Sequence, residues 1–253
     1  MNKSSSSPVY DGGFYEYINA GSLSSARVVC PLIKEWLSPL SVLDVGCGAG
    51  AWCKVWGEVG VGQVAGVDGD YIDQSTLLID PHQFTSRDLS QSFDMQRQYD
   101  LVVSLEVAEH VPLSSAKTFV ENLVQHGKTV LFSAAVPGQG GLYHVNEQPL
   151  EFWRALFAES GYRCFDPLRP LLVSDHKVEP WYRYNTLLYV AEELVAGLPA
   201  SVASTEVPQG TDIAELAPWA WRVRNRILGQ LPGPVSRQLV RVKHNFTIWR
   251  GRH

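Results

Sequence analysis

Short apolar runs alternate along the chain with stretches of helical periodicity. Residues 41–45, 63–67, 99–104 and 129–133 read as buried strands. Residues 51–59 and 114–125, between them, carry apolar positions at helical spacing. Alternation of this kind predicts a parallel sheet with helices on both faces. Upstream, Val28, Val29, Leu32, Ile33, Trp36 and Leu37 predict a helix over 24–37 that Pro39 stops. Downstream, residues 152–160 read as a helix closed by Gly161, and 187–190 as a late strand. Residues 1–9 read as a loose leader, followed by an aromatic group that includes Tyr17.

Composition adds bounds. The 253 residues are 45% hydrophobic and 19% charged, enough for one α/β domain with an extension and too apolar for a disordered chain. No apolar run approaches the roughly 18 residues of a spanning helix, and the polar start lacks a signal-peptide core. A soluble, cytoplasmic protein is expected. The four cysteines show no Cys-x-x-Cys spacing, so reduced thiols are expected and no zinc site.

Charge divides the chain. The total is −5, but residues 218–253 hold eight Lys or Arg and no acid, which leaves −13 on the remainder. The expected organisation is a domain over 1–195, a Pro/Gly/Ser/Thr-rich linker over 196–217, and a basic amphipathic extension over 218–253. That extension suits folding back on the acidic body, a homo-oligomer contact, an anionic membrane surface or an acidic partner. Nucleic acid is disfavoured, because the sequence pI is about 5.8 and no RNA-binding module is evident.

Candidate chemistry begins at the first strand. Gly46-Cys47-Gly48-Ala49-Gly50-Ala51 fits G-x-G-x-x-G/A, a turn that dinucleotide enzymes also use. Asp44 on the entering strand would face a pyrophosphate badly and suits a ligand with a positive centre. Asp68, ending the next strand before Gly69, can accept both hydroxyls of a ribose. Asp88 can accept from an adenine amino group, and Leu89 can offer its N–H to the ring. Cys47 is a small residue that fits the turn.

Together these motifs carry a resemblance. Asp44-Val45-Gly46-Cys47-Gly48-Ala49-Gly50, Gly66-Val67-Asp68-Gly69-Asp70, Arg87-Asp88-Leu89 and the segment from Tyr99 to Val111 stand in the order and spacing of class I S-adenosylmethionine (SAM) dependent methyltransferases. The resemblance covers roughly residues 10–195. It implies a Rossmann-like, seven-stranded, mostly parallel sheet with helices on both faces, plus a C-terminal helical extension. It also implies SAM as cofactor. Asp44 and the glycines would hold the methionine part, Asp68 the ribose, and Asp88 with Leu89 the adenine. Leu105 and Glu106 would lie beside the methionine and the acceptor, and Tyr17 and Ser22 would help close the site.

Glu106, Glu109, His110 and His144 form a second group. The spacings 106/109 and 106/110 would put the first three on one face of a helical turn. Methyl transfer needs an aligned acceptor oxygen or nitrogen and a base for its proton. A histidine suits that task, with His144 the first candidate, His110 the second and Glu109 in support. The same four residues resemble the magnesium-binding set of plant small-RNA 2′-O-methyltransferases, and ubiquinone-pathway O-methyltransferases look similar here. A divalent metal such as magnesium is the alternative, against which stands its preference for oxygen ligands. The expected reaction is O-methylation, or N-methylation, of a small molecule or glycan. An NAD(P)-dependent oxidoreductase and a non-catalytic SAM-binding protein are the rivals.

Overall fold

The computed structural model describes residues 12–230. The chain opens with helix α1, Gly12–Leu37, and then alternates strand and helix: β1 Ser41–Val45, α2 Ala51–Glu58, β2 Gln63–Asp68, β3 Phe84–Ser86, β4 Leu101–Leu105, α3 Ala116–His126, β5 Thr129–Ser133 and α4 Leu150–Glu159. There follow β6 Tyr162–Phe165, α5 Arg169–Leu172, α6 Pro180–Asn185, β7 Leu187–Ala191, α7 Ala200–Ala203 and α8 Trp219–Gln230. The strands form one seven-stranded sheet in the order β3-β2-β1-β4-β5-β7-β6. The first five run parallel, and β7 lies antiparallel between β5 and β6.

Successive side chains of a strand point to opposite faces, and here each face has its own core. Leu43, Val45, Val102, Val130, Phe132 and Tyr189 pack under α3 and α4, against Phe119, Leu123, Trp153 and Phe157. Val42, Leu101, Val103, Leu131, Leu188 and Val190 pack under α1 and α2, against Val29, Ile33, Val55 and Trp56. Each fully buried aliphatic or aromatic side chain of this kind stabilises the fold by roughly 1.5–3 kcal/mol. All five residues of β1, β4, β5 and β7 are buried, which is why those runs read as continuous apolar stretches rather than as alternations.

Helix α1 ends at Leu37, with Ser38 at φ 48° just before Pro39. It starts well before Ser24, because its glycines hide the extra turns from propensity. One of them, Gly21, has Glu179 so close that a Cβ would come within 2.7 Å of the carboxylate. The aromatic stretch 181–184 belongs to helix α6, and β6 is a strand that the apolar pattern did not mark.

The segment 196–217 is not a free linker. Val202 of α7 is fully buried under the α1 face, and Ile213 is buried on the α3 face. Glu206 bridges to Phe165 and pairs with Arg163, so the strap lies along the sheet edge at β6. Its Pro, Gly, Ser and Thr content lowers regular structure, not packing. Of the basic extension 218–253, α8 is described and folds back on the body; the remainder lies outside the described residues.

Candidate active site

The cleft lies at the carboxyl ends of the parallel strands, where ligands sit in open α/β sheets. After β1 the chain turns through Gly46 at φ 83°, where a Cβ would meet Val107 at 2.3 Å. Gly48, at φ 55°, has nothing within 4 Å of where its Cβ would stand, so the turn presents bare backbone to open space. Cys47 fills a gap against Gly66 with its sulfur.

Asp68 closes the other side of the turn. Its carboxylate accepts from Gly48 N at 2.7 Å, from Gly69 N at 2.6 Å and from the Tyr71 hydroxyl. The Tyr71 ring lies over Gly69, where a Cβ would clash with it. Burial raises the Asp68 carboxyl, against the hydrogen bonds from Tyr71, Gly69 and Gly48. Asp44 sits deeper than a cleft-facing residue. It is 3% exposed, and the Cys53 thiol donates to it. Burial pushes its carboxyl up to about 7, and the nearby Asp68 adds to the rise. Two adjacent buried carboxylates with no cationic partner among the described residues fit a cationic ligand.

The adenine candidates divide. Leu89 is buried, whereas Asp88 is exposed and accepts from Ser90 N at 2.9 Å and Ser90 Oγ at 2.7 Å. Ser22 of α1 is buried and shares a 3.1 Å hydrogen bond with the Tyr182 hydroxyl, which packs edge-on against Trp52. The Tyr17 side chain lies outside the described residues. Leu105 is buried at the end of β4.

Beyond β4 the expected helical turn does not form around all three residues. Glu106 adopts φ 59°, and only Ala108–His110 make a short 3-10 turn. With Glu106 left-handed and outside that turn, the three residues do not share one helical face. Gln139 Nε2 holds Glu106 at 2.7 Å and Asn185 Nδ2 at 3.2 Å. Glu106 therefore drops out of the metal-ligand set predicted for it: the potential donor atoms that gather within 4.8 Å are those of Glu109, His110 and His144.

Glu109 is 1% exposed, and among the described residues its oxygens receive no side-chain hydrogen bond, only the approach of the Glu109 and Ala135 backbone N–H groups. Burial, and then Glu106, pushes its carboxyl well above the ordinary range. His144 Nε2 lies 3.8 Å from Glu109 Oε1, and its Nδ1 lies 2.8 Å from Glu147 Oε1. Glu147 also accepts from Gly138 N at 2.8 Å and Gly140 N at 2.7 Å, so one carboxylate shapes the loop and orients the imidazole. Gly141 lets the imidazole lie against the backbone, since a Cβ there would overlap it. His110 meets His144 edge to face at 4.9 Å. Although the residue is exposed, the surrounding protein and His144 hold its pKa below the ordinary range.

Sequence reasoning gave no role at the site to Glu147, Gln139 or Tyr71. A signal existed for Glu147, three residues after His144 and next to a glycine-rich loop. Gln139 comes from a separate loop and carried no local signal, whereas Asn185 ends the aromatic stretch 179–185, which reads from sequence as core packing or as an acceptor wall, and Arg224 belongs to the basic extension.

Strand order 3-2-1-4-5-7-6 with an antiparallel β7 defines the class I SAM-dependent methyltransferase fold. The chain belongs to the methyltransferase domain family, which it matches over residues 24–171. This overturns the dinucleotide reading of the glycine turn, whose sheet would end in the order 4-5-6. The chain is 33% identical over 84 residues to a ubiquinone biosynthesis O-methyltransferase of Rhodopseudomonas palustris (strain BisA53), a match covering 30% of this chain and 31% of that protein. The chain thus spans about a third of that relative's length. Two solved structures share the fold. One is the sugar N-methyltransferase KedS8 from Streptoalloteichus sp. ATCC 53650, with TM-score 0.53, 18% identity, and coverage of 76% of this chain and 98% of that one. The other is magnesium protoporphyrin IX methyltransferase from Synechocystis PCC 6803 with bound SAM, with TM-score 0.51, 18% identity, and coverage of 74% and 87%. Among the described residues, no helix is long and apolar enough to cross a membrane.

Proposed function

We propose that the protein moves a methyl group from SAM to an oxygen, or a nitrogen, of a small-molecule or glycan acceptor, releasing S-adenosylhomocysteine. The observation that carries this reading is the oriented His144, with Nδ1 tied to Glu147 at 2.8 Å and Nε2 turned toward the buried Glu109. SAM supplies an electrophilic methyl on a sulfonium. The backbone of Gly46, Cys47 and Gly48 lies along its methionine part, and Asp44, buried beneath the turn, offsets its positive charge. Asp68 and Gly69 take the ribose, and Leu89 with Asp88 frames the adenine. Leu105 and Glu106 border the reacting end, and Ser22 of α1 closes the cleft.

His144 acts as the base. With Nδ1–H donated to Glu147, Nε2 is the free acceptor, as in other carboxylate-oriented histidines. It takes the acceptor's hydroxyl proton while the carbon–oxygen bond forms. The imidazolium that results is stabilised by the Glu147 carboxylate bound to its Nδ1. The relatives named O-methyltransferases favour oxygen, and the sugar N-methyltransferase keeps nitrogen in view. The four cysteines are buried free thiols, which suits the cytoplasm.

Calorimetry tests the cofactor reading: S-adenosylhomocysteine should bind the full-length protein and NAD should not. Binding of NAD alone would overturn it.

A second reading has its own observation. Glu109 holds a buried carboxylate beside two imidazoles, a set that fits a divalent cation. Two nitrogens and one oxygen suit a transition-type ion better than magnesium. Such an ion would bind the acceptor oxygen and ease its deprotonation. If chelator-treated protein turns over as fast as untreated protein, this second reading fails and the first stands.

A further inference from the structure

We propose that the cavity between the body and α8 is the acceptor pocket, and that it takes a ring-bearing acceptor carrying an anionic group, a carboxylate or a phosphate. The proposal rests on the methyltransferase reading above. The cavity measures about 450 Å³ and lies between Val136-Pro137, the start of α4, the end of α6 and α8. Small-molecule sites are of this size, roughly 300–1,000 Å³.

Its inner wall belongs to the reaction centre. Asn185 lines the cavity, is 3% exposed, and donates to Glu106 Oε1 at 3.2 Å and to Gln139 Oε1 at 2.9 Å. An acceptor here would touch Asn185, which stands between the cavity and the Glu106 carboxylate at the end of β4. A second wall is aromatic: Tyr184 of α6 and Trp221 of α8 have ring centroids 5.9 Å apart. Such faces suit sugar and aromatic rings.

Helix α8 is docked at this place by named contacts. Arg224 donates to the Gln139 carbonyl at 3.0 Å and to Asn225 Oδ1 at 2.8 Å, and lies 5.1 Å over the Trp221 ring. Asn225 is buried, and the neighbouring positions on its helix face the cavity.

The charge of the pocket sets the acceptor class. Arg222 and Arg226 are four apart, line the cavity at its exposed edge, and pair with no carboxylate among the described residues. The third guanidinium, Arg169, is already paired with Asp166 at 2.8 Å. The two lining acids engage backbone: Glu215 accepts from Ala217 N at 2.8 Å and Glu151 from Ile213 N at 3.4 Å. Those two acids keep their charge, so the pocket is not net positive; what it offers an anion is two guanidiniums with no carboxylate partner among the described residues, whose forks match carboxylate or phosphate oxygens.

Binding to the full-length protein with S-adenosylhomocysteine present tests this. Benzoate and phenyl phosphate are titrated against benzyl alcohol as the neutral ring, with saturation-transfer NMR and calorimetry as readouts. At least one anion should bind about tenfold or more tightly than the alcohol. The tighter anion tells carboxylate from phosphate. Arg222→Gln/Arg226→Gln should abolish that preference and leave S-adenosylhomocysteine affinity unchanged, which also shows that the variant is folded. Equal binding of alcohol and anions, no binding of either anion at millimolar concentration, or an unchanged preference in the double variant would overturn the proposal. If the wild-type protein binds the anions but not S-adenosylhomocysteine, the methyltransferase reading fails and not the pocket.

Discussion

The two halves of the cleft are built on different principles. The half at β1 and β2 is local and made largely of backbone. Gly46, Gly48, Asp68 and Gly69 fall within two dozen residues, and the key contact, Gly48 N to Asp68, joins one turn to the next strand. The half at β4 and β5 is a side-chain network. It draws Glu106 and Glu109 from one loop, Gln139, His144 and Glu147 from another, Asn185 from α6 and Arg224 from α8. A cofactor common to a whole family can be held by backbone geometry. Acceptor chemistry needs side chains, and those can be recruited from anywhere the fold brings close.

The contrast predicts how each half breaks. His144→Ala should give the largest effect, a fall in kcat of about 10²–10⁴-fold, with S-adenosylhomocysteine affinity unchanged in calorimetry. Full turnover in that variant would remove the base from the mechanism and the division with it. Asp44 gives a pH test of the cofactor half. Its carboxyl is raised from the ordinary 3.8 to about 7 by burial, so the folded protein holds this proton longer than the unfolded chain does. Stability of the ligand-free protein should therefore be lost as pH rises from about 4 towards about 7, by a few kcal/mol from this group. Thermal melts across that range should show the slope, and Asp44→Asn should flatten it.

Gly46→Ala should lower stability by about 1–3 kcal/mol, because the new Cβ meets Val107 and the residue must keep a positive φ. A melting temperature equal to wild type would show that the turn is softer than its geometry. The smallest effect concerns Tyr71, whose hydroxyl occupies an Asp68 oxygen that a ribose hydroxyl would share. Tyr71→Phe should tighten S-adenosylhomocysteine binding about two- to fivefold in calorimetry. Weaker binding would make Tyr71 part of the site rather than a competitor for it.

Much of this was legible before any coordinates. The parallel strands β1, β2, β4 and β5 announced themselves as apolar runs, because strands covered on both faces need no polar alternation. The glycine turn and Asp68 were legible because they are short-range motifs. The helical turn around Glu106 was not, since nothing in a one-dimensional spacing marks a left-handed glutamate. The strap at 196–217 was misjudged for a related reason: its composition reports low regularity, while Val202 and Ile213 do the packing.

The amino-acid sequence by itself determined the sheet's parallel core, the turn after β1 and the acid after β2, because each rests on neighbours along the chain. Only the tertiary structure decided which groups meet in the catalytic half. It paired His144 with Glu147, buried Glu109 beside both imidazoles, and carried Arg224 of α8 to the loop that holds Glu106. Those contacts join residues that are distant in sequence, and such contacts are set by how the sheet and helices pack rather than by any local pattern.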